Sequence, residues 1–76
     1  MKDLIEFLAR SLVDNPDDVR VEEEQEEGRV VLRLYVAEDD MGKVIGKQGR
    51  IANAMRDLLK VAAARQGTRA SLEIGD

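Results

Sequence analysis

The residues best suited to chemistry lie in the stretch MGKVIGKQGRI, residues 41–51, where three glycines stand beside three cations. Gly46 and Gly49 lack a Cβ atom, so the backbone around them can adopt positive φ and let another molecule approach closely. A helix that begins after Gly49 would present unsatisfied backbone N–H groups at the positive end of its dipole, which suits a phosphate. The cations around this site are Lys43, Lys47 and Arg50. The stretch therefore predicts a phosphate-binding loop.

The cations are concentrated in one part of an acidic chain. Residues 1–40 carry 5 Lys and Arg against 13 Asp and Glu, and residues 41–70 carry 7 against Asp57 alone, within a net formal charge of −4. Such asymmetry is typical of a surface that binds a polyanion or a membrane with its basic part. On charge alone, a solvated helix with ordinary surface cations explains the pattern equally well.

The composition excludes several classes of site. A chain of 76 residues allows one domain with a marginal core, which we place at residues 1–76. Because the chain has no Cys and no His, disulfides and the usual zinc and iron ligand sets are absent. Ser11 and Ser71 have no evident general base, so we expect no enzyme, no small-molecule substrate, no metal and no cofactor. Charged residues interrupt the apolar residues of the N-terminus, so we expect neither a signal peptide nor a membrane span, and a cytoplasmic location.

The first half of the chain predicts a helix followed by a β-hairpin. Apolar residues recur at helical spacing until Pro16, which ends the first helix. Two strands follow, at residues 18–26 and 29–37, joined by a turn at Glu27 and Gly28. The first strand ends in a run of glutamates and is expected to be a polar edge. The core-facing row of the second strand consists of Val30, Leu32, Leu34 and Val36.

The second half predicts two helices and a closing strand. A short helix at residues 41–45 follows acidic cap residues, and a longer helix runs from Arg50 to about Gln66. Gly67 ends the longer helix, and residues 68–74 alternate as a strand. The expected inward face of the longer helix consists of Ile51, Met55, Leu58, Leu59 and Ala62. The chain is therefore predicted to be an α+β protein of order αββααβ.

Two other glycine-rich phosphate motifs do not fit this stretch. A P-loop has four residues between its glycines and then Lys followed by Ser or Thr, whereas Gly42 and Gly46 enclose three and Lys47 is followed by Gln48. The dinucleotide-binding fingerprint opens a parallel βαβ unit, whereas these glycines lie between two predicted helices.

The sequence VIGKQGRI resembles the signature of the KH domain, which is an aliphatic pair, G-x-x-G and a following Ile. The element order resembles the type II, prokaryotic form of that domain over essentially the whole chain, and DDMGKVIGKQGRIANAMR resembles the small stand-alone bacterial KH proteins. The resemblance implies a three-stranded mixed sheet packed against three helices. It also implies a groove for single-stranded RNA, with about four nucleotides clamped by the loop at residues 46–49.

The resemblance also assigns the residues of the site. Those that it places against the sugar-phosphate backbone are Gly46, Lys47, Gln48 and Gly49. Those that it places where the groove begins are Val44, Ile45 and Ile51, of which the first and last are expected to be mainly core residues. Charge and proximity add Lys43 and Arg50 to the RNA-binding set.

We therefore expect a non-catalytic, sequence-tolerant single-stranded RNA-binding protein of a bacterium, acting as an RNA chaperone or post-transcriptional regulator. The resemblance implies homodimerisation, or heterodimerisation with a larger bacterial KH protein, and a process tied to cell growth, envelope synthesis and so cell shape. Two alternatives stay open: a KH-fold protein-interaction adaptor whose loop is not the working surface, and a single-stranded DNA binder. Base-stacking modules of other folds are disfavoured, because the only aromatic residues are Phe7, expected in the core, and Tyr35, expected to be structural.

Overall fold

A computed structural model, which describes residues 1–75, has the element order αββααβ. The helices are α1 (Lys2–Leu12), α2 (Met41–Ile45) and α3 (Arg50–Arg65), and the strands are β1 (Arg20–Glu26), β2 (Arg29–Tyr35) and β3 (Arg69–Gly75). This order confirms the sequence prediction and is that of a type II KH fold. Within the described range, no helix is long and apolar enough to cross a bilayer.

The three strands form one mixed sheet with β2 in the centre. β1 pairs with β2 in antiparallel register, and the turn between them uses Glu27 (φ 47°) and Gly28 (φ 80°). Two left-handed residues match the twist of a tight hairpin, so the predicted turn is confirmed. β3 pairs with β2 in parallel, because α2 and α3 carry the chain back across the sheet. β3 is therefore an edge strand.

The helices cover one face of the sheet, and a single core lies between the two layers. The predicted row of β2 is buried, with Leu32 and Leu34 fully inaccessible at its centre. They belong to one cluster with Ile5 of α1, Val44 of α2 and Leu59 of α3. Burying a side chain of this size stabilises the fold by about 1.5–3 kcal/mol, so this cluster fixes the position of each helix on the sheet.

The buried face of α3 differs from the prediction. The buried residues of α3 are Ala52, Met55, Leu59 and Ala63, which form one row at helical spacing. Leu58 is 49% exposed, so the expectation that it lies inward is wrong. Hydropathy alone ranks leucine above alanine for a buried position, so the burial of the two alanines leaves no such signal in the sequence.

The expectation that Phe7 lies in the core is also wrong, since its side chain is 68% exposed. α1 buries Ile5 and Ala9, which are four residues apart and share one helix face. Phe7 lies between them in sequence and therefore on another face.

The other face of the sheet is held together by Arg33. Its guanidinium forms ion pairs with Glu24 of β1 at 2.9 Å, with Glu26 at 3.5 Å and with Glu73 of β3 at 3.1 Å. The hydrogen bond and charge of Arg33 lower the pKa of the Glu24 carboxyl. The carboxylates of Glu24 and Glu73 raise the pKa of Arg33. The carboxylates of Glu24, Glu26 and Glu73 are thus engaged on this face of the sheet by one arginine.

Both aromatic side chains lie outside the core cluster. The guanidinium of Arg20 lies 4.5 Å from the centre of the Tyr35 ring, opposite it on the neighbouring strand. This cation–π contact covers one ring face and agrees with the structural role expected of Tyr35.

Candidate nucleic-acid interface

Three residues with positive φ make the connection between α2 and α3 a tight turn. The N–H of Gly46 (φ 75°, ψ 173°) donates to the carbonyl of Gly42 at 2.9 Å and ends α2. Gln48 (φ 58°) and Gly49 (φ 74°) follow, and the N–H of Gly49 donates to the carbonyl of Gly46 at 3.1 Å. Residues with a Cβ atom adopt these conformations at a cost, so the backbone path explains both glycines of the loop.

The space beside Gly49 is open. A Cβ atom added there would meet only Nδ2 of Asn53, at 3.9 Å. Lys47 and Gln48, which precede it, are exposed. A ligand can therefore approach the backbone of the second half of the loop without displacing a side chain.

α3 begins at Arg50, directly after the loop, as predicted. No side chain caps its first turn, because the residue at the cap position is Gly49. The N–H of Arg50 donates to the carbonyl of Lys47 across the turn, and the N–H groups that follow it lie at the positive end of the helix dipole. The loop and this helix start therefore form a surface whose electrostatics suit an anion.

Two of the three predicted cations form no ion pair with a carboxylate of residues 1–75. Lys47 is exposed and forms no ion pair within residues 1–75. Arg50 is exposed as well, and its Nη2 donates to Oε1 of Gln48 at 3.3 Å across the turn. Both can supply charge to a phosphate at the start of α3.

Lys43 is engaged by carboxylates instead. Its ammonium group pairs with Asp14 and lies 3.7 Å from Oδ1 of Asp40. The hydrogen bond to Asp14 raises the pKa of Lys43, partly offset by desolvation, and the charges of both carboxylates add to the rise. Lys43 therefore stands near the loop with much of its charge neutralised.

Asp40 anchors the start of α2 to the segment that follows α1. Its carboxylate is fully buried and accepts hydrogen bonds from the N–H groups of Asp14 at 3.2 Å and Asn15 at 3.0 Å, and from Nδ2 of Asn15 at 3.0 Å. Burial alone would raise the pKa of Asp40, but these hydrogen bonds and the charge of Lys43 outweigh burial and lower it. The sequence suggested a helix-capping residue here, yet the side chain caps no helical N–H group.

The aliphatic residues of the motif divide between core and surface. Val44 is fully buried, which confirms its assignment to the core, and Ile51 is half-buried against the same cluster. Ile45 remains 37% exposed beside the loop. The apolar surface available to a base next to the loop therefore comes from Ile45 and the accessible part of Ile51.

Two further cations of α3, Arg56 and Lys60, were not among the predicted site residues. They line a cavity of about 140 Å³ between α3 and the edge strand β3, with Leu59, Ala70, Ser71 and Leu72. Nε of Arg56 donates to the Leu72 carbonyl at 3.4 Å. Arg56 and Lys60 are four residues apart, which is a sequence signal for a shared helix face, but only the fold shows that this face borders β3.

The chain is similar to known bacterial proteins over nearly its whole length. A family model described as "KhpA/KhpB, KH domain" matches residues 2–74. A protein of Clostridium acetobutylicum named RNA-binding protein KhpA is 54% identical over 74 residues, which cover 97% of this chain and 99% of the relative. Proteins of the same name from Halalkalibacterium halodurans and Aquifex aeolicus are 51% identical over 76 residues (100% of each chain) and 50% identical over 74 residues (97% and 94%). No solved structure matches the chain significantly.

Proposed function

Because the chain belongs to the KhpA/KhpB family of KH domains, we propose that it binds single-stranded RNA through the loop at residues 46–49 and catalyses no reaction. The observation that carries the proposal is the join between this loop and α3. At this join the N-terminus of α3 has no side-chain cap and the space beside Gly49 is open. The exposed cations Lys47 and Arg50 lie next to it. The relatives described above are named RNA-binding proteins, which supports RNA as the ligand.

In this proposal the loop holds the RNA backbone, and the groove beside it holds the bases. A phosphate accepts hydrogen bonds from the first N–H groups of α3 and interacts with Lys47 and Arg50. Gly46, Gln48 and Gly49 supply the backbone that meets the sugar-phosphate chain over about four nucleotides. Val44 supports Ile45 and Ile51, which offer apolar contact to a base. Lys43 ranks below Lys47 as a phosphate contact because two carboxylates already engage it.

Weak, sequence-tolerant binding of RNA suits an RNA chaperone or post-transcriptional regulator in the bacterial cytoplasm. Its regulation of RNA would then have a downstream effect on cell shape. The interactions named above are mostly with the sugar-phosphate backbone, which carries no sequence information. Such a protein acts by changing how RNA folds or by presenting it to other factors.

The test compares two loop variants that differ in charge and match in shape. Lys47→Asp with Gln48→Asp reverses the charge of the loop, and Lys47→Asn with Gln48→Asn removes the positive charge with side chains of the same size. Asn and Asp both tolerate the left-handed conformation of residue 48. Fluorescence anisotropy with a labelled eight-nucleotide RNA should show weakened binding by the Asn pair and no binding by the Asp pair, with circular dichroism spectra unchanged.

The same assay addresses the two alternatives. Equal binding of a matched single-stranded DNA would move the proposal to nucleic acid in general. Equal RNA binding by wild type and the Asp pair would remove the loop from the mechanism. No RNA binding by the folded wild-type protein would favour the adaptor.

We propose further that the protein pairs with a second copy of itself through an apolar surface between α1 and α3. A groove of about 310 Å³ on this side includes Phe7, Leu12 and Leu58 in its lining. These side chains are 68%, 39% and 49% exposed, and Val61, one turn further along α3, is 54% exposed. Large apolar side chains clustered in this way are typical of an interaction surface, and a small domain gains stability from covering them.

The lining of the apolar groove also includes Arg50 and Ile51, so this surface borders the loop, whereas the cavity beside Arg56 and Lys60 lies between α3 and β3, away from the proposed dimer surface. Two sites on one particle raise the avidity for a longer RNA. Sedimentation velocity should show a concentration-dependent dimer for wild type and a monomer for Phe7→Ser with Leu58→Ser. Ile45→Ser is the matched control, since it removes an exposed apolar side chain from another surface. A monomeric wild-type protein would overturn homodimerisation and turn the search to a larger bacterial KH protein.

A further inference from the structure

Lys43 is held by two carboxylates whose surroundings differ. Asp40 is buried, and three hydrogen bonds from Asp14 and Asn15 already fix its oxygens. The side chain of Asp14 is 76% exposed, and within residues 1–75 its carboxylate has no partner other than the ammonium group of Lys43. One partner of Lys43 is therefore fixed by the fold, and the other is free to move into solvent.

The pair between Lys43 and Asp14 lies beside the candidate RNA-binding loop. Lys43 is on α2, three residues before Gly46, at which α2 ends. Three residues of an α-helix rise about 4.5 Å, so the backbone of Lys43 lies within one turn of the loop. Its side chain is 43% exposed and has a flexible four-carbon stem. Once released from Asp14, the ammonium group can turn toward a phosphate at the loop.

An exposed ion pair of this kind holds its partners weakly. Water screens the two charges, and both side chains lose rotational freedom when they pair. A phosphate oxygen carries negative charge and accepts the same charge-assisted hydrogen bond as a carboxylate oxygen. Phosphate and Asp14 therefore compete for one ammonium group, and the charge of Asp14 also repels an RNA that approaches this side of the loop.

We propose that Asp14 limits the affinity for RNA by occupying Lys43, and that an RNA backbone at the loop must displace Asp14 before Lys43 can bind a phosphate. The inference rests on the proposed RNA-binding function and adds to it a contact that opposes binding. When a phosphate replaces Asp14, the freed carboxylate attracts a cation from solution, so the exchange releases almost no net counterion. Lys43 therefore contributes little to affinity in wild type, although it lies beside the loop.

Neutralising Asp14 tests the competition. Asp14→Asn keeps the backbone N–H group that donates to Asp40, and its side chain has nearly the same shape. With a labelled eight-nucleotide RNA at 50 mM salt, this variant should bind about fivefold more tightly than wild type, and the slope of log affinity against log salt should steepen by about 0.7. Asp14→Ser removes the charge with a different side chain and should reproduce the gain.

Asp17→Asn is the matched control for charge. It removes the same charge from an exposed position that forms no ion pair within the part of the chain that the structure describes. Its affinity for RNA should stay within about twofold of wild type, since a solvated charge away from Lys43 is screened by salt. A gain equal to that of Asp14→Asn would overturn the proposal.

A double-mutant cycle assigns the gain to Lys43. Lys43→Gln alone should leave the affinity within about twofold of wild type, and Asp14→Asn should give no further gain in this background, because no ammonium group is left to release. Circular dichroism establishes that each variant is folded. An equal gain in both backgrounds, or no gain in either, would overturn the proposal. Failure of the wild-type protein to bind RNA would overturn the RNA-binding function itself.

Discussion

A Cβ atom added to Gly46 would lie 2.6 Å from Cγ1 of Ile51 and 3.0 Å from the Cβ of the same side chain. Ile51 is in the first turn of α3 and packs against the core cluster, so it has little freedom to move away. The first glycine of the loop is therefore fixed by packing across the turn. Gly49 meets no such obstacle, because the nearest atom to a Cβ added there is Nδ2 of Asn53 at 3.9 Å.

The two glycines should respond differently to substitution. Gly46→Ala combines a backbone conformation that is nearly exclusive to glycine with overlap on Ile51, and we expect a loss of about 2 kcal/mol or more in the free energy of unfolding. Gly49→Asn introduces a residue type that tolerates the left-handed conformation of this position, and it should lower the free energy of unfolding by about 1 kcal/mol or less. Urea denaturation followed by circular dichroism measures both. Equal losses would contradict the packing role of Gly46.

The second glycine should show a charge effect on RNA. Gly49→Asp and Gly49→Asn have side chains of the same size, and both fit the positive φ of this position. We expect Gly49→Asp to weaken RNA binding at least about tenfold relative to Gly49→Asn, because it puts a negative charge where the phosphate meets the helix dipole. Similar affinities for the two folded variants would place the phosphate elsewhere.

The buried carboxylate should matter more than its exposed neighbour. Asp40→Asn presents an amide to the three donors from Asp14 and Asn15, and it removes one of the two carboxylates that engage Lys43, so we expect a clear fall in melting temperature. Asp39→Asn is the control, since Asp39 lies in the same turn and is exposed. Differential scanning calorimetry of the two variants compares them directly. Equal melting temperatures would show that the anchor is not stabilising.

The stability contributed by Asp40 should disappear in acid. Because the folded pKa of this carboxyl lies below its ordinary value of about 3.9, its contribution is present above that pH and is lost as the pH falls through the lowered value. The difference in unfolding free energy between wild type and Asp40→Asn should therefore be full at pH 6 and shrink as the pH falls below about 4. Urea titrations at each pH test this, and a gap that widens in acid would refute the assignment.

Salt should weaken RNA binding, and the slope of log affinity against log salt should report the number of phosphate contacts. If the loop engages three phosphates, log affinity should fall against log salt with a slope of about −2, or roughly tenfold to twentyfold between 50 and 200 mM. Lys47→Gln should lower the magnitude of the slope by about 0.7, and Lys2→Gln, on α1, should leave it unchanged. A flat response in wild type would exclude the phosphate clamp.

The element order, the hairpin turn and the loop could be predicted because each depends on residues that are close in sequence. A period of two predicts β2, a helical period predicts α1 and α3, and glycines with positive φ mark the turns at Gly28, Gly46, Gly49 and Gly67. The cations next to glycines at a predicted helix start gave the prediction of a phosphate-binding loop in the same way, whereas RNA as the ligand came from the family resemblance.

Tertiary structure alone decided which side chains these elements bring together. Asp40 meets Asn15 across 25 positions and Arg33 meets Glu73 across 40, and neither contact leaves a periodic signal. The exposure of Phe7 and Leu58, and the burial of Ala52 and Ala63, depend on which face of each helix packs against the rest of the fold. The groove beside Arg56 and Lys60 exists because β3 pairs in parallel at the edge of the sheet. Local sequence specifies elements through backbone preference and period, whereas partners distant in sequence are chosen by packing and register, which only the folded chain defines.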